Sequence, residues 1–150
     1  KFESKPKEFW NNIQNQRSFF DWLGTQVGVK QLDDWYNLLS RKLVVEYGGT
    51  FLRLYHDSPV QALLAAYPEH NWTPWKFKAK VSSLWNDVKN HKRFVEWLGQ
   101  ELGVKELDDW YQLLDKHVIE KNGGATLLAN YYNNSPFALI SSVYPDHPWK

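Results

Sequence analysis

Two adjacent carboxylate pairs are the first residues whose chemistry needs weighing. Asp33-Asp34 and Asp108-Asp109 stand in the same Leu-Asp-Asp-Trp-Tyr setting. Paired carboxylates can hold a divalent cation or share acid–base work. Neighbours on a helix, however, point to different faces and do not converge unaided. At a helix start they favour the positive end of its dipole, and capping is the reading they carry here. His70 and His147 sit in matching Tyr-Pro-acid-His turns. One imidazole per turn falls short of a zinc site, so a local hydrogen bond to Glu69, Asp146 or the backbone is expected. His56, His91 and His117 have no histidine at the matching position. The chain has no Cys, which excludes disulfides and thiolate ligands. No Ser stands in a recognisable nucleophile setting, and no glycine loop is built to cradle phosphate. No metal or other cofactor is called for, and the chain reads as a non-enzyme.

Lysines interleaved with aromatics offer a different chemistry. The stretch Trp72-Thr73-Pro74-Trp75-Lys76-Phe77-Lys78-Ala79-Lys80 would bring cations to phosphates while its rings anchor the segment or stack on bases. Lys89, Lys92 and Arg93 would extend this patch, and Lys1, Lys5 and Lys7 hold the corresponding place near the start. Lys30 and Lys105 follow a Gly turn where a helix-turn-helix reader meets backbone phosphates. The candidate nucleic-acid contacts are therefore Lys30, Lys76, Lys78, Lys80, Lys89, Lys92, Arg93 and Lys105. A solvated linker kept soluble by its lysines explains the same pattern about as well. A formal net charge of +1 supplies no polyanion-binding tail. Nine Trp, eight Tyr and eight Phe complete the inventory. Trp10, Trp22, Trp35 and Trp72 recur as Trp85, Trp97, Trp110 and Trp149. Helical spacing assigns Trp10, Trp35 and their partners to the core. Trp22 and Trp97 lie one position off the apolar stripe, where an exposed ring could stack on a sugar.

These residues recur because the chain contains one stretch twice. Trp22–Tyr36 and Trp97–Tyr111 are identical at eleven of fifteen positions. A period of 75 residues makes each copy a structural unit, giving boundaries at 1–75 and 76–150. Units of that size fold alone only with dense apolar cores, and the aromatics supply the density. Lys1-Phe2 aligns with Lys76-Phe77, which reads as two units cut from an array.

The elements follow in order. A first helix is expected from Pro6 to Gly24, with Phe9, Trp10, Ile13, Phe20 and Leu23 inward and the Gly24/Gly28 pair as its stop. Leu84, Trp85, Val88, Val95 and Leu98 repeat the face. A short helical turn at Leu32–Tyr36 precedes a helix capped by Ser40, or by Asp115 in the copy, and ended by Gly48-Gly49 or Gly123-Gly124. Further helices are expected over Phe51–Tyr55 and Thr126–Tyr132, the second lengthened by two inserted residues. Ser58-Pro59 and Ser135-Pro136 start a last helix that ends before Pro68 or Pro145. No alternating strand pattern occurs, and no apolar run approaches a membrane span. The fold class is all-α: two tandem bundles of four to five short helices.

The order WLG…LGVK-LDDWY…GG…SP…YP(E/D)H-W…WKF resembles tandem Trp-rich repeats of largely uncharacterised eukaryotic multidomain proteins in plants, fungi and protists. The resemblance spans nearly the whole chain twice, with DDWY and YPEH-W its distinctive parts. Such repeats are sometimes joined to nuclease-like or zinc-ribbon-like domains, and that company implies nucleic acid. The expectation is a non-catalytic recognition module binding DNA or RNA through phosphates. The alternative is a protein-interaction or scaffold repeat with an exposed aromatic face, which requires a contiguous apolar surface patch. The triplets Asn71-Trp72-Thr73 and Asn133-Asn134-Ser135 are each followed by Pro and do not establish secretion. The compartment stays open, leaning to intracellular.

Overall fold

The helices begin where short polar side chains can cap them. In the computed structural model, which describes residues 2–81 and 83–150, every regular element is helical. Among the described residues no helix is long and apolar enough to cross a membrane. The chain divides into two compact units, Lys1–Val81 and Ser82–Lys150. That boundary falls after Val81 rather than after Trp75, because the Phe77 ring packs into the first unit against Tyr36 and Trp72. Lys1 lies outside the described residues.

In the first unit a 3-10 turn over Lys7–Asn11 gives way to α1 (Ile13–Val27). The Asn12 side chain accepts the Gln14 N–H at 2.8 Å and so starts the α-helix afresh. This corrects the expectation of one helix from Pro6 to Gly24. The break lets Trp10 enter the core while Ile13, expected inward, stands 40% exposed on the first turn. The buried stripe of α1 runs instead through Gln16, Phe19, Phe20 and Leu23. Gly28 ends the helix in the left-handed conformation, with φ of 90°. Gly24 does not stop it. It lies buried inside α1, where the Trp35 ring and Val29 approach its backbone.

A 3-10 turn at Leu32–Asp34 leads into α2 (Trp35–Leu38). The Ser40 hydroxyl accepts the Leu43 N–H and caps α3 (Arg41–Glu46). Beyond Gly48-Gly49 the expected helix is a 3-10 turn, Leu52–Tyr55. His56 and Asp57 are both left-handed, and the Ser58 hydroxyl then caps α4 (Pro59–Ala66), with Pro59 in its first turn. α4 packs on α1 over a core that includes Trp10, Phe19, Phe20, Trp35, Phe51 and Leu63.

The second unit follows the same order. A 3-10 turn at Leu84–Asn86 precedes α5 (Val88–Leu102), capped by Asp87 through the Lys89 N–H at 3.0 Å. Val88, expected inward, is 69% exposed for the same reason as Ile13. A turn at Leu107–Asp109 leads to α6 (Trp110–Leu113), and Asp115 caps α7 (Lys116–Ile119). The chain winds on through Gly123, left-handed at φ 100°, into α8 (Ala125–Tyr131). The two inserted residues turn the 3-10 segment of the first unit into this helix. Asn133 and Asn134 repeat the left-handed pair, and Ser135 caps α9 (Pro136–Val143), which packs on α5.

Gly49 marks where an aromatic core reaches the backbone. A Cβ there would stand 2.6 Å from Val44 Cγ1 and 2.8 Å from Phe19 Cε2. At Gly124 it would stand 2.7 Å from Ile119 Cγ2 and 2.8 Å from Phe94 Cζ. Gly49→Ala or Gly124→Ala therefore overpacks one core, with an expected loss of about 2 kcal/mol in denaturant unfolding. An unchanged midpoint would show that the ring can step aside.

Candidate functional site: an aromatic seat beside the Asp-Asp-Trp-Tyr turn

The two aspartates of each pair do different work. Asp34 Oδ2 accepts the backbone N–H of Lys30 at 2.8 Å and of Gln31 at 3.2 Å. Asp109 Oδ2 accepts those of Lys105 at 2.8 Å and Glu106 at 3.1 Å. These bonds close a capping box that fixes the turn ahead of α2 and of α6. They also hold both carboxyls below the usual aspartate range. Asp33 and Asp108 reach outward instead. His70 Nε2 lies 2.8 Å from Asp33 Oδ1, and His147 Nε2 lies 2.8 Å from Asp108 Oδ1. The histidine partners are thus not the neighbouring Glu69 and Asp146. They come from a turn far back in the chain, because the segment after α4 or α9 folds onto it.

Each histidine backs a tryptophan. The His70 and Trp72 rings lie 4.4 Å apart, and those of His147 and Trp149 lie 4.3 Å apart. The Trp72 indole donates to the Tyr67 carbonyl at 2.9 Å, and the Trp149 indole donates to that of Tyr144 at 2.9 Å. So fixed, Trp72 meets Tyr36 edge-on at 5.7 Å, and Trp149 meets Tyr111 at 5.5 Å. The Tyr36 hydroxyl accepts the Thr73 N–H at 2.7 Å, and the Tyr111 hydroxyl accepts that of Lys150 at 2.6 Å. Two closely similar frames result.

Their contents differ. In the first unit Phe77 fills the frame, its ring 4.7 Å from Tyr36 and 5.6 Å from Trp72. Tyr36 is 6% exposed there. In the second unit the given sequence holds no residue at the position matching Phe77, and Tyr111 is 46% exposed. A cavity of about 320 Å³ lies over it, lined by Trp110, Tyr111, Leu114, Pro136, Phe137 and Trp149 among others. Phe137, 47% exposed, holds the place of buried Val60 and widens the apolar surface. Repetition of Tyr36 and Trp72 was visible in the sequence; their meeting in space was not.

The candidate cations are all exposed. Lys76, Lys78 and Lys80 share the outer side of the segment whose inner side carries buried Phe77 and half-buried Ala79. The Lys76 ammonium lies 5.1 Å over the Tyr36 ring, and the Lys78 N–H donates to the Tyr36 carbonyl at 3.0 Å. Lys30 edges a separate cleft of about 230 Å³ with Asp21, Thr25, Gln31 and Tyr67. Burial and the Asp21 charge push the Tyr67 hydroxyl far above its usual range. Lys89, Lys92 and Arg93 lie on the first turns of α5, where Arg93 donates to Asn90 Oδ1 at 3.0 Å. Lys105 sits in the turn before α6. Residues 1–81 carry eleven Lys and Arg against eight Asp and Glu, but residues 82–150 carry seven against nine. The eight candidates therefore straddle units of opposite net charge. Trp22 is no platform for a sugar, since Phe2, Phe19 and Tyr47 pack around its ring.

His91 does have a counterpart: Gln16. The Gln16 amide donates to the Trp10 carbonyl at 2.7 Å and accepts from the Tyr55 hydroxyl. His91 Nε2 faces the Trp85 carbonyl at 2.7 Å, and Nδ1 faces the Tyr132 hydroxyl at 2.7 Å. Identity matching misses this pair because Gln and His satisfy one network with different atoms.

Among the described residues no three His, Asp or Glu side chains gather as a metal site. No family model, curated protein or solved structure matches this chain.

Asp34 and Asp109 predict an acid response. A carboxyl whose folded value lies below its unfolded one, ordinarily near 3.8, stabilises fully above that value. The contribution is lost as pH falls through the depressed folded value. Stability should therefore decline below about pH 4, and Asp34→Asn with Asp109→Asn should weaken the fold at pH 7 and flatten that acid limb. Urea midpoints measured from pH 2 to 7 test this; an acid limb as steep as the parent's would place the response elsewhere.

Proposed function

We propose that the chain is a pair of copies of one helical unit and acts as a non-catalytic protein-interaction module, with the exposed apolar side chains at the start of α5 as its binding surface. One observation carries this reading. Val88 on the first turn of α5 is 69% exposed, and Tyr131, whose hydroxyl donates to Asn86 Oδ1 at 2.9 Å just before that helix, is 43% exposed. Panning a random-peptide display library against the chain and against Val88→Glu/Tyr131→Ser tests it. Peptides should enrich on the parent and fail to enrich on the variant. Enrichment equal on both, or on neither, would end this reading.

A second reading, nucleic-acid binding, draws on the edge formed by Lys76, Lys78 and Lys80. Alternate residues of an extended segment point to one side, and these three exposed cations keep that spacing. Phosphate binding predicts affinity that falls steeply with salt. Anisotropy of labelled single- and double-stranded oligonucleotides at two salt concentrations measures it, with Lys76, Lys78 and Lys80 changed to Glu. Binding of about micromolar affinity, abolished by both salt and charge reversal, would restore this reading to first place; binding that neither affects would remove it.

A further inference from the structure

The cleft that Lys30 edges in the first unit joins an apolar floor to a rim of two opposite charges. α1 supplies Phe20 and Asp21, the turn after it supplies Lys30 and Leu32, and Trp35 and Tyr67 complete the lining. Phe20, Trp35 and Tyr67 are buried, whereas Asp21 and Lys30 are exposed. Among the described residues neither of these two charges makes an ion pair. The Lys30 backbone N–H is bonded to Asp34, so the turn that carries its side chain is fixed.

Asp21 is held in place by a chain of contacts that begins at Arg17. The Arg17 guanidinium binds Glu69 at 2.7 Å and donates to the Ala66 carbonyl, at the end of α4, at 3.2 Å. It lies 4.6 Å from the centroid of the Tyr67 ring, within cation–π range. The Tyr67 hydroxyl in turn donates to Asp21 Oδ1. Burial, and then the bond to Asp21, push that hydroxyl far above its usual range, so it stays a donor. Asp21 Oδ2 has no hydrogen-bond partner among the described residues.

The second unit folds without this chain of contacts. Lys92, Glu96, Tyr144 and Asp146 stand at the matching positions. Among the described residues the Tyr144 hydroxyl makes no hydrogen bond and Lys92 makes no ion pair, yet α9 still packs on α5. Packing of the unit therefore does not demand the Arg17–Tyr67–Asp21 contacts. Their product is a carboxylate aimed along the cleft with one oxygen free.

We infer that this cleft binds a small zwitterion, an α-amino acid with an apolar side chain. Its ammonium meets Asp21 Oδ2, its carboxylate meets the Lys30 ammonium, and its side chain lies against Leu32 and the aromatic floor. One carboxylate and one ammonium on the rim call for a ligand that carries both charges, each end gaining a charge-assisted hydrogen bond. The cleft, at about 230 Å³, is smaller than drug-sized sites and leaves room for only a short body between them. This site is separate from the surface at the start of α5, and its ligand binds whether or not that surface takes a peptide.

The probes are L-leucine and L-phenylalanine, titrated into the intact isotope-labelled chain and followed by amide chemical shifts. Saturable shifts are expected at Asp21, Thr25, Lys30 and Gln31 with at least one of the two. N-acetylation of that amino acid removes its positive charge, amidation removes its negative charge, and each should weaken binding at least tenfold. Asp21→Asn and, independently, Lys30→Gln should do the same. Lys30 is exposed and bonded only through its backbone, so Lys30→Gln keeps the test open if Asp21→Asn disturbs Tyr67. The amide should bind Lys30→Gln as weakly as it binds the parent, because the partner of its missing carboxylate is then gone too. Absence of saturation with both amino acids, indifference to acetylation or amidation, or shifts confined to other residues would overturn the assignment. A display result at α5, positive or negative, leaves each of these outcomes unchanged.

Discussion

Trp72 is held from three sides, and the rest of its unit depends on that. Its indole N–H is bonded to the Tyr67 carbonyl, and its ring makes T-shaped contacts with His70 and with Tyr36. His70 is in turn fixed by Asp33, from the turn that Asp34 caps. The last turn of the unit is thereby tied to a turn near its middle, which closes α1 and α4 over one core. A buried Trp removes 150–250 Å² from water, worth roughly 4–6 kcal/mol before the entropy of ordering is subtracted. In a unit this small, without disulfides, such a tie is a large share of what holds the fold. Trp149 repeats the arrangement through Tyr144, His147 and Tyr111.

The same frame tolerates different contents because its polar bonds run through the backbone. The two indoles donate to carbonyls, and Asp34 and Asp109 accept from amides. Side chains around them can then change without unmaking the frame. Gln16 gives way to His91, and Val60 to Phe137. The first change preserves a buried network, since either side chain can donate to a carbonyl and accept from a tyrosine hydroxyl. The second occurs at the edge of the seat and enlarges its apolar wall.

Local rules made much of the helical order legible. Ser40, Asp115, Ser58 and Ser135 cap the helices they were expected to cap, and Gly48 and Gly123 take the left-handed conformation expected after their helices. These features involve residues two to four apart, where side-chain chemistry determines the outcome. The break at Asn12 was hidden because Phe9, Trp10 and Ile13 suit a continuous helix as well as a 3-10 turn followed by a capped one. Only the competition for the core between Trp10 and Ile13 decides it, and that is a tertiary matter. The His70–Asp33 pair was hidden for a related reason. Neighbouring Glu69 was the simpler partner on paper, but Arg17 takes Glu69 in a salt bridge at 2.7 Å.

The alternation of lysine with aromatic in the connector was read as a cationic surface with anchoring rings. The structure gives the rings a definite place and the lysines a second purpose. Phe77 has little reason to remain in water once the Tyr36–Trp72 frame exists, whereas Lys76, Lys78 and Lys80 cannot be buried beside it without losing hydration. Period two is what an extended segment needs to satisfy both demands at once. Seating a ring in a groove therefore accounts for the spacing of the alternation, and it leaves the three lysines on the outer side.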